Sequence, residues 1–154
     1  MKVYRLAREI HATPLSGKGA AMFGARWNPV GVELIYTAQN RSLAMAEIAV
    51  HLSLATLPED YMMLTIDIPN DIKVKQLTEA DLPTDWQEFP HPASTQEIGR
   101  DFVTENEYGV LIIPSVVTQG DFNVLINPNH IDFSKITIVR IDKFPFDKRI
   151  FRAS

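Results

Sequence analysis

The run Gly109-Val110-Leu111-Ile112-Ile113 is apolar without a break and is closed by Pro114-Ser115. A strand of that composition is buried on both faces of its sheet. The chain is thereby narrowed to layered folds with cover on either side of a sheet.

The remaining segments sort around this strand. Lys2 to Leu6 reads as a first strand, and Val32 to Thr37 as a second that sets Val32, Leu34 and Tyr36 on one face. Tyr61 to Ile68 alternates Met62, Leu64, Ile66 and Ile68 against Met63, Thr65 and Asp67, as a strand with one core face does, and Pro69-Asn70-Asp71 ends it. Phe122 to Pro128 makes a strand and turn. Lys135 to Phe144 is a last long strand whose alternation breaks at Val139, which marks a bulge. One helix is expected from about Ser42 to Leu54, capped by Ser42 or Asn40. A second opens on the capping-box pattern Ser94-Thr95-Gln96-Glu97 and runs to about Glu105, packing Ile98 and Phe102. Between them, Thr78 to Pro92 is an acidic, proline-bearing connection anchored by Trp86 and Phe89. Strands interrupted by two main helices make an α+β fold with a mixed β-sheet core, and 154 residues suit one domain, 1–154.

Glu47 stands out within Ala44-Met45-Ala46-Glu47-Ile48-Ala49-Val50-His51. At about 100° per residue, Leu43, Glu47, Val50, His51 and Leu54 share one side of the helix, with Ala46, Ala49 and Ser53 opposite. An ionised group among such neighbours is costly unless something uses it. The plainer reading pairs Glu47 with His51 one turn on. Arg26, in the turn Gly24-Ala25-Arg26-Trp27-Asn28-Pro29-Val30-Gly31, can offer a bidentate fork to a phosphate or carboxylate, or form a surface ion pair. Tyr36 is either a core tyrosine with a satisfied hydroxyl or a site residue. Ser115 follows a buried strand, where functional groups gather, although most such serines cap a turn. The glycine-bearing Ser16-Gly17-Lys18-Gly19-Ala20 lacks the spacing of a phosphate-binding loop and reads as a flexible or substrate-cradling loop.

Several classes lose support. A net charge of −4 argues against a basic nucleic-acid surface, and the cluster Lys143, Lys148, Arg149 and Arg152 reads as a solvated tail. Without cysteine there are no disulfides, thiolate ligands or thiol nucleophiles, which fits a reducing cytoplasm. His11, His51, His91 and His130 are dispersed, with no His-Glu-x-x-His pattern, so no metal is expected. No Gly-x-Ser-x-Gly elbow is present. No secretory signal opens the chain and no run approaches bilayer length, so a soluble cytoplasmic protein without membrane contact is expected.

Taken in order, these pieces resemble the RES domain, named for its Arg, Glu and Ser residues. The match runs through Tyr4-Arg5-Leu6, Gly24-Ala25-Arg26-Trp27-Asn28 with Gly31 and Tyr36, and Ser42-Leu43-Ala44 to Glu47 and His51. It continues through Ile113-Pro114-Ser115-Val116-Val117 and Asn123-Val124-Leu125-Ile126-Asn127-Pro128-Asn129-His130. Ala25 stands where the family often has a second glycine. The resemblance implies an ADP-ribosyltransferase-like fold and the toxin of a type II toxin–antitoxin pair, partnered by an antitoxin with an Xre-type helix-turn-helix. The implied activity is cleavage of NAD at the nicotinamide–ribose bond by hydrolysis, phosphorolysis or transfer of ADP-ribose to a protein acceptor. NAD is then a substrate, with no cofactor needed and no direct nucleic-acid contact, and a homodimer is left open. Arg26, Glu47 and Ser115 take the family's named positions, with Tyr36 beside them and Arg5 and Asn127 as further pocket residues. On this reading Arg26 holds the pyrophosphate, Tyr36 stacks on the nicotinamide or sugar edge, and Ser115 bonds the nicotinamide side. Glu47 stabilises the developing oxocarbenium charge. The competing reading is a non-catalytic module of the same fold that binds NAD or ADP-ribose.

Overall fold

Seven strands form one mixed sheet in a computed structural model that describes residues 1–151. They are β1 (Lys2–Arg8), β2 (Ile35–Ala38), β3 (Tyr61–Asp67), β4 (Val74–Gln76), β5 (Val110–Pro114), β6 (Phe122–Ile126) and β7 (Thr137–Lys143). Their order is β4-β5-β6-β2-β1-β3-β7, and β4 with β5 is the parallel pair. Three helices accompany them: α1 (Lys18–Phe23), α2 (Arg41–Ala49) and α3 (Ala93–Glu105). The α+β class with a mixed sheet is as expected, but α1 is a helix the sequence did not announce. It occupies the stretch read as a loop. Gly17, just before it, lies against the start of β2, where an added Cβ would sit 2.6 Å from the Leu34 amide nitrogen. That glycine serves close packing.

The sheet is two ladders joined thinly. β1 pairs with β3 along its whole length, from Lys2 opposite Asp67 to Arg8 opposite Tyr61. Between β1 and β2 the register is a single pair, Tyr4 with Ala38. One face is covered continuously by a core including Val3, Ile35, Leu64, Ile66, Val124 and Ile126. The other face carries two separate clusters. The first gathers Trp27, Leu34, Trp86, Phe102, Leu111 and Leu125 beneath α3; the second gathers Leu6, Ala38, Leu43, Ala44, Tyr61 and Met63 beneath α2. β3 is therefore buried on both faces, where one core face was expected. β5 is covered on both sides, as its composition requires.

Several boundaries shift for physical reasons. β2 begins at Ile35, because Val32 still belongs to the preceding turn, its amide donating to the Pro29 carbonyl. α2 stops at Ala49, after which Leu52 turns back onto the second cluster. Its N-cap is Asn40, whose side chain accepts from the Leu43 amide at 2.7 Å. α3 reaches Glu105 as expected, but the capping box does not form, because the Ser94 hydroxyl donates to Asp85 at 2.6 Å instead. In β7 the register passes from Ile138 to Arg140 opposite consecutive β3 residues, which leaves Val139 as the bulged residue. The chain after β7 packs Phe146 edge-on against Tyr61, Phe144 and Phe151, while Lys143, Lys148 and Arg149 stay exposed. Arg152 lies outside the described residues. Among the described residues no helix is long and apolar enough to cross a membrane.

Candidate functional site

A cleft of about 590 Å³ opens where β1 and β2 diverge, between the two clusters. Its volume is in the range of a small-molecule site. Arg26, Tyr36 and Glu47 all line it, together with Tyr4, Asn123 and His91.

Glu47 reaches the cleft from α2, half-buried. Its partner is Ser115, whose hydroxyl donates to Glu47 Oε1 at 3.1 Å. The Ser115 hydroxyl oxygen in turn accepts from the Val117 and Thr118 amides, each at 3.1 Å, so a tight turn after β5 fixes it. Ser115 is itself buried and has its hydrogen on the carboxylate, so its visible work is to orient Glu47. Among the described residues no bond joins Glu47 to His51. The i,i+4 pairing is replaced by a contact from the turn after β5.

Arg26 uses one guanidinium nitrogen, Nη1, to donate to the main-chain carbonyls of Trp86 at 2.9 Å and Glu88 at 2.8 Å. Burial holds its pKa below the ordinary arginine value, against the pull of Glu47 and Tyr36. Arginine remains a cation under such a shift. Beside it, the Tyr36 hydroxyl donates to Asn28 Oδ1 at 2.6 Å and accepts from the Trp27 amide at 3.0 Å. Burial pushes the Tyr36 phenol well above its ordinary pKa, so it stays protonated and its ring alone is left to a ligand.

Of the two further expected pocket residues, one lines the cleft and one does not. Arg5 lines it, while in the β1 register it pairs with Leu64 and its guanidinium donates to the Ser16 carbonyl at 3.4 Å. Asn127 is fully buried beyond β6, bonded to Asn106 at 2.9 Å and accepting from the Asn129 amide. It closes a turn and does not line the cleft. Phe89, expected as an anchor, is 79% exposed at the cleft rim, whereas Trp86 is indeed buried. The residues that sequence reasoning missed are Asn123, near the start of β6, and the rim set Gln87, Phe89 and His91. No periodic signal marks an irregular segment, so the rim had none to give. Among the described residues no group of three or more histidines or acids could hold a metal ion.

The RES domain model matches residues 2–148. The Prs ADP-ribosylating toxin of Sphingobium sp. is 34% identical over 95% of this chain and 92% of its own length. Toxin Res of Photorhabdus laumondii is 35% identical over 99% of both chains. The Mycobacterium tuberculosis MbcT–MbcA toxin–antitoxin complex contains a chain that superposes with a TM-score of 0.76 at 23% identity, over 94% of this chain and 84% of that one. That last likeness is one of fold.

Proposed function

The chain belongs to the RES domain family, and from that premise we propose that it is the toxin of a bacterial toxin–antitoxin pair and consumes NAD by breaking the nicotinamide–ribose bond. The observation that carries the reading is the Glu47 carboxyl group, held in the cleft by a hydroxyl that two backbone amides lock in place. Preorganised groups act on a transition state without reorganising when charge appears.

The C1′–nitrogen bond breaks with its electron pair on the leaving nicotinamide, which departs neutral and needs no general acid. Positive charge spreads over C1′ and the ring oxygen, as in glycoside cleavage. Glu47 stabilises that charge more in the transition state than in the ground state. An incoming nucleophile then bonds to C1′ and loses its proton. The name of the Sphingobium relative favours a protein as that nucleophile, with water or phosphate as the other acceptors. Arg26 supplies positive charge for the pyrophosphate from the nitrogens it does not use on Trp86 and Glu88. The partner this reading implies is an antitoxin, in keeping with the complex in which the similar fold is found. The Xre-type helix-turn-helix of that antitoxin follows from the family resemblance.

The deciding experiment measures nicotinamide release from NAD by the purified protein. Wild type should release it, and Glu47→Gln should lower turnover at least a hundred-fold while unfolding at the same urea concentration, in line with losses seen for single electrostatic groups of about 10²–10³. Full turnover by Glu47→Gln would remove Glu47 from the chemistry. No release by wild type, with NAD bound, would favour a binding module.

A further inference from the structure

Phe89 is a large aromatic side chain that is 79% exposed, yet it lines the cleft. Among the described residues its aromatic neighbour is His91, edge-on with ring centroids 5.6 Å apart. The segment that bears the pair is not loose. Trp86 is buried in the cluster beneath α3, the Glu88 amide donates to the Asp85 carbonyl at 3.0 Å, and Asp85 accepts from Ser94 of α3. Arg26 grips the Trp86 and Glu88 carbonyls immediately before Phe89. The backbone that presents this apolar ring at the cleft mouth is thus held by several attachments just before it. The hydrophobic effect does not explain its position, since the ring buries little.

The grouping of residues gives it a use. Glu47 is fastened through Ser115 to the turn after β5, whereas Arg26 is bonded to the Glu88 carbonyl, one residue before Phe89. Within the cleft, Arg26 therefore belongs with the segment that carries Phe89 and His91, and Glu47 with a separate wall. A dinucleotide divides in the same way, into the reacting ribose on one side and the pyrophosphate and adenine on the other. We infer that the Phe89–His91 pair is the ledge on which the adenine base stacks, with Arg26 coupling ledge and pyrophosphate. This rests on the NAD reading above. Flat aromatic faces hold bases by stacking, worth about 1–3 kcal/mol per base or roughly 5- to 150-fold in affinity. His91 stands at 89° to the Phe89 ring, so it braces that ring and leaves the stacking face to Phe89 alone.

The test compares binding of ADP-ribose and ribose 5-phosphate by calorimetry in wild type, Phe89→Ala and Phe89→Trp, beside nicotinamide release from NAD. Phe89→Ala should weaken ADP-ribose about ten-fold more than ribose 5-phosphate and raise the KM for NAD with little change in kcat, and Phe89→Trp should restore both. Equal affinity of wild type and Phe89→Ala for ADP-ribose overturns the ledge, even where NAD is consumed. So does an Ala variant that loses modification of a protein acceptor while its KM for NAD stands, for then the ring meets the acceptor. A Phe89-dependent ADP-ribose affinity without nicotinamide release keeps the ledge and overturns the catalytic reading. Absence of both overturns both.

Discussion

Asn28 is bonded at both ends of its side-chain amide. Its amide nitrogen donates to the carbonyls of Ala20 at 2.8 Å and of Pro29 and Val32 at 3.1 Å, and its oxygen accepts from Tyr36. The residue is fully buried, so each of these bonds replaces water that cannot enter. Through Asn28, the Tyr36 phenol ties the Arg26 turn to β2, which gives an aromatic read as a ligand contact a second task. Tyr36→Phe leaves Asn28 Oδ1 and the Trp27 amide each short of a partner, and should cost about 1–2 kcal/mol of stability. A double-mutant cycle with Asn28→Ala, read by urea unfolding, should give a coupling of about 1 kcal/mol. Additive effects would mean that the phenol and the amide work separately. At this scale the site was legible where a residue violates its surroundings: Glu47 in an apolar helix, and Arg26 in a glycine-flanked turn. Ser115 and Asn127 both follow strand ends in asparagine- or serine-bearing turns. Which of the two turns faces the cleft depends on sheet order, which neither turn encodes.

α3 approaches the Arg26 turn through a gap in its own surface. A Cβ on Gly99 would fall 1.5 Å from the Trp27 carbonyl oxygen, and one helical turn earlier Gln96 donates to the Ala25 carbonyl at 3.1 Å. Helix and turn are in backbone contact, so a methyl group has nowhere to go. Gly99→Ala should cost about 1–3 kcal/mol by overpacking and should lower NAD turnover, because the turn it displaces carries Arg26. A variant as stable as wild type would show that the helix can retreat freely. The sequence could announce α3 through a capping-box pattern, although the box itself does not form, and β5 and the Val139 bulge through composition and broken alternation. It could not announce α1, six residues with a glycine inside and no side-chain cap. Nor could it place the end of α2, because the apolar run continues past Ala49 while the chain has already turned. Phe89 misled for a related reason. Aromatic residues in connections usually plug a core, and only the clamp from Arg26 reveals that this one faces outward.

At the scale of the whole molecule, surface ion pairs clasp both ends of the β1–β3 ladder. Lys2 pairs with Asp67 at one end and Arg8 with Asp60 at the other, and Lys135 reaches Asp71 just beyond. In each case the hydrogen-bonded cation holds the aspartate below the ordinary carboxylate pKa. A depressed folded pKa means that the unfolded chain takes up protons first as pH falls. The contribution is therefore complete above the unfolded value of about 4 and disappears as pH drops through the folded one. Urea midpoints should be flat near neutrality and decline in acid, with added salt flattening the decline because the pairs are exposed. A midpoint unchanged down to pH 3 would mean that these pairs contribute nothing. The contrast with the other junction is plain: β1 grips β3 along its length but meets β2 at one residue pair. A ligand reaching from Glu47 on α2 to the segment fastened by Arg26 spans those two ladders. It would act as the missing rungs between them, so that a filled cleft is a mechanically closed sheet and the substrate is, while it stays bound, part of the protein's own framework.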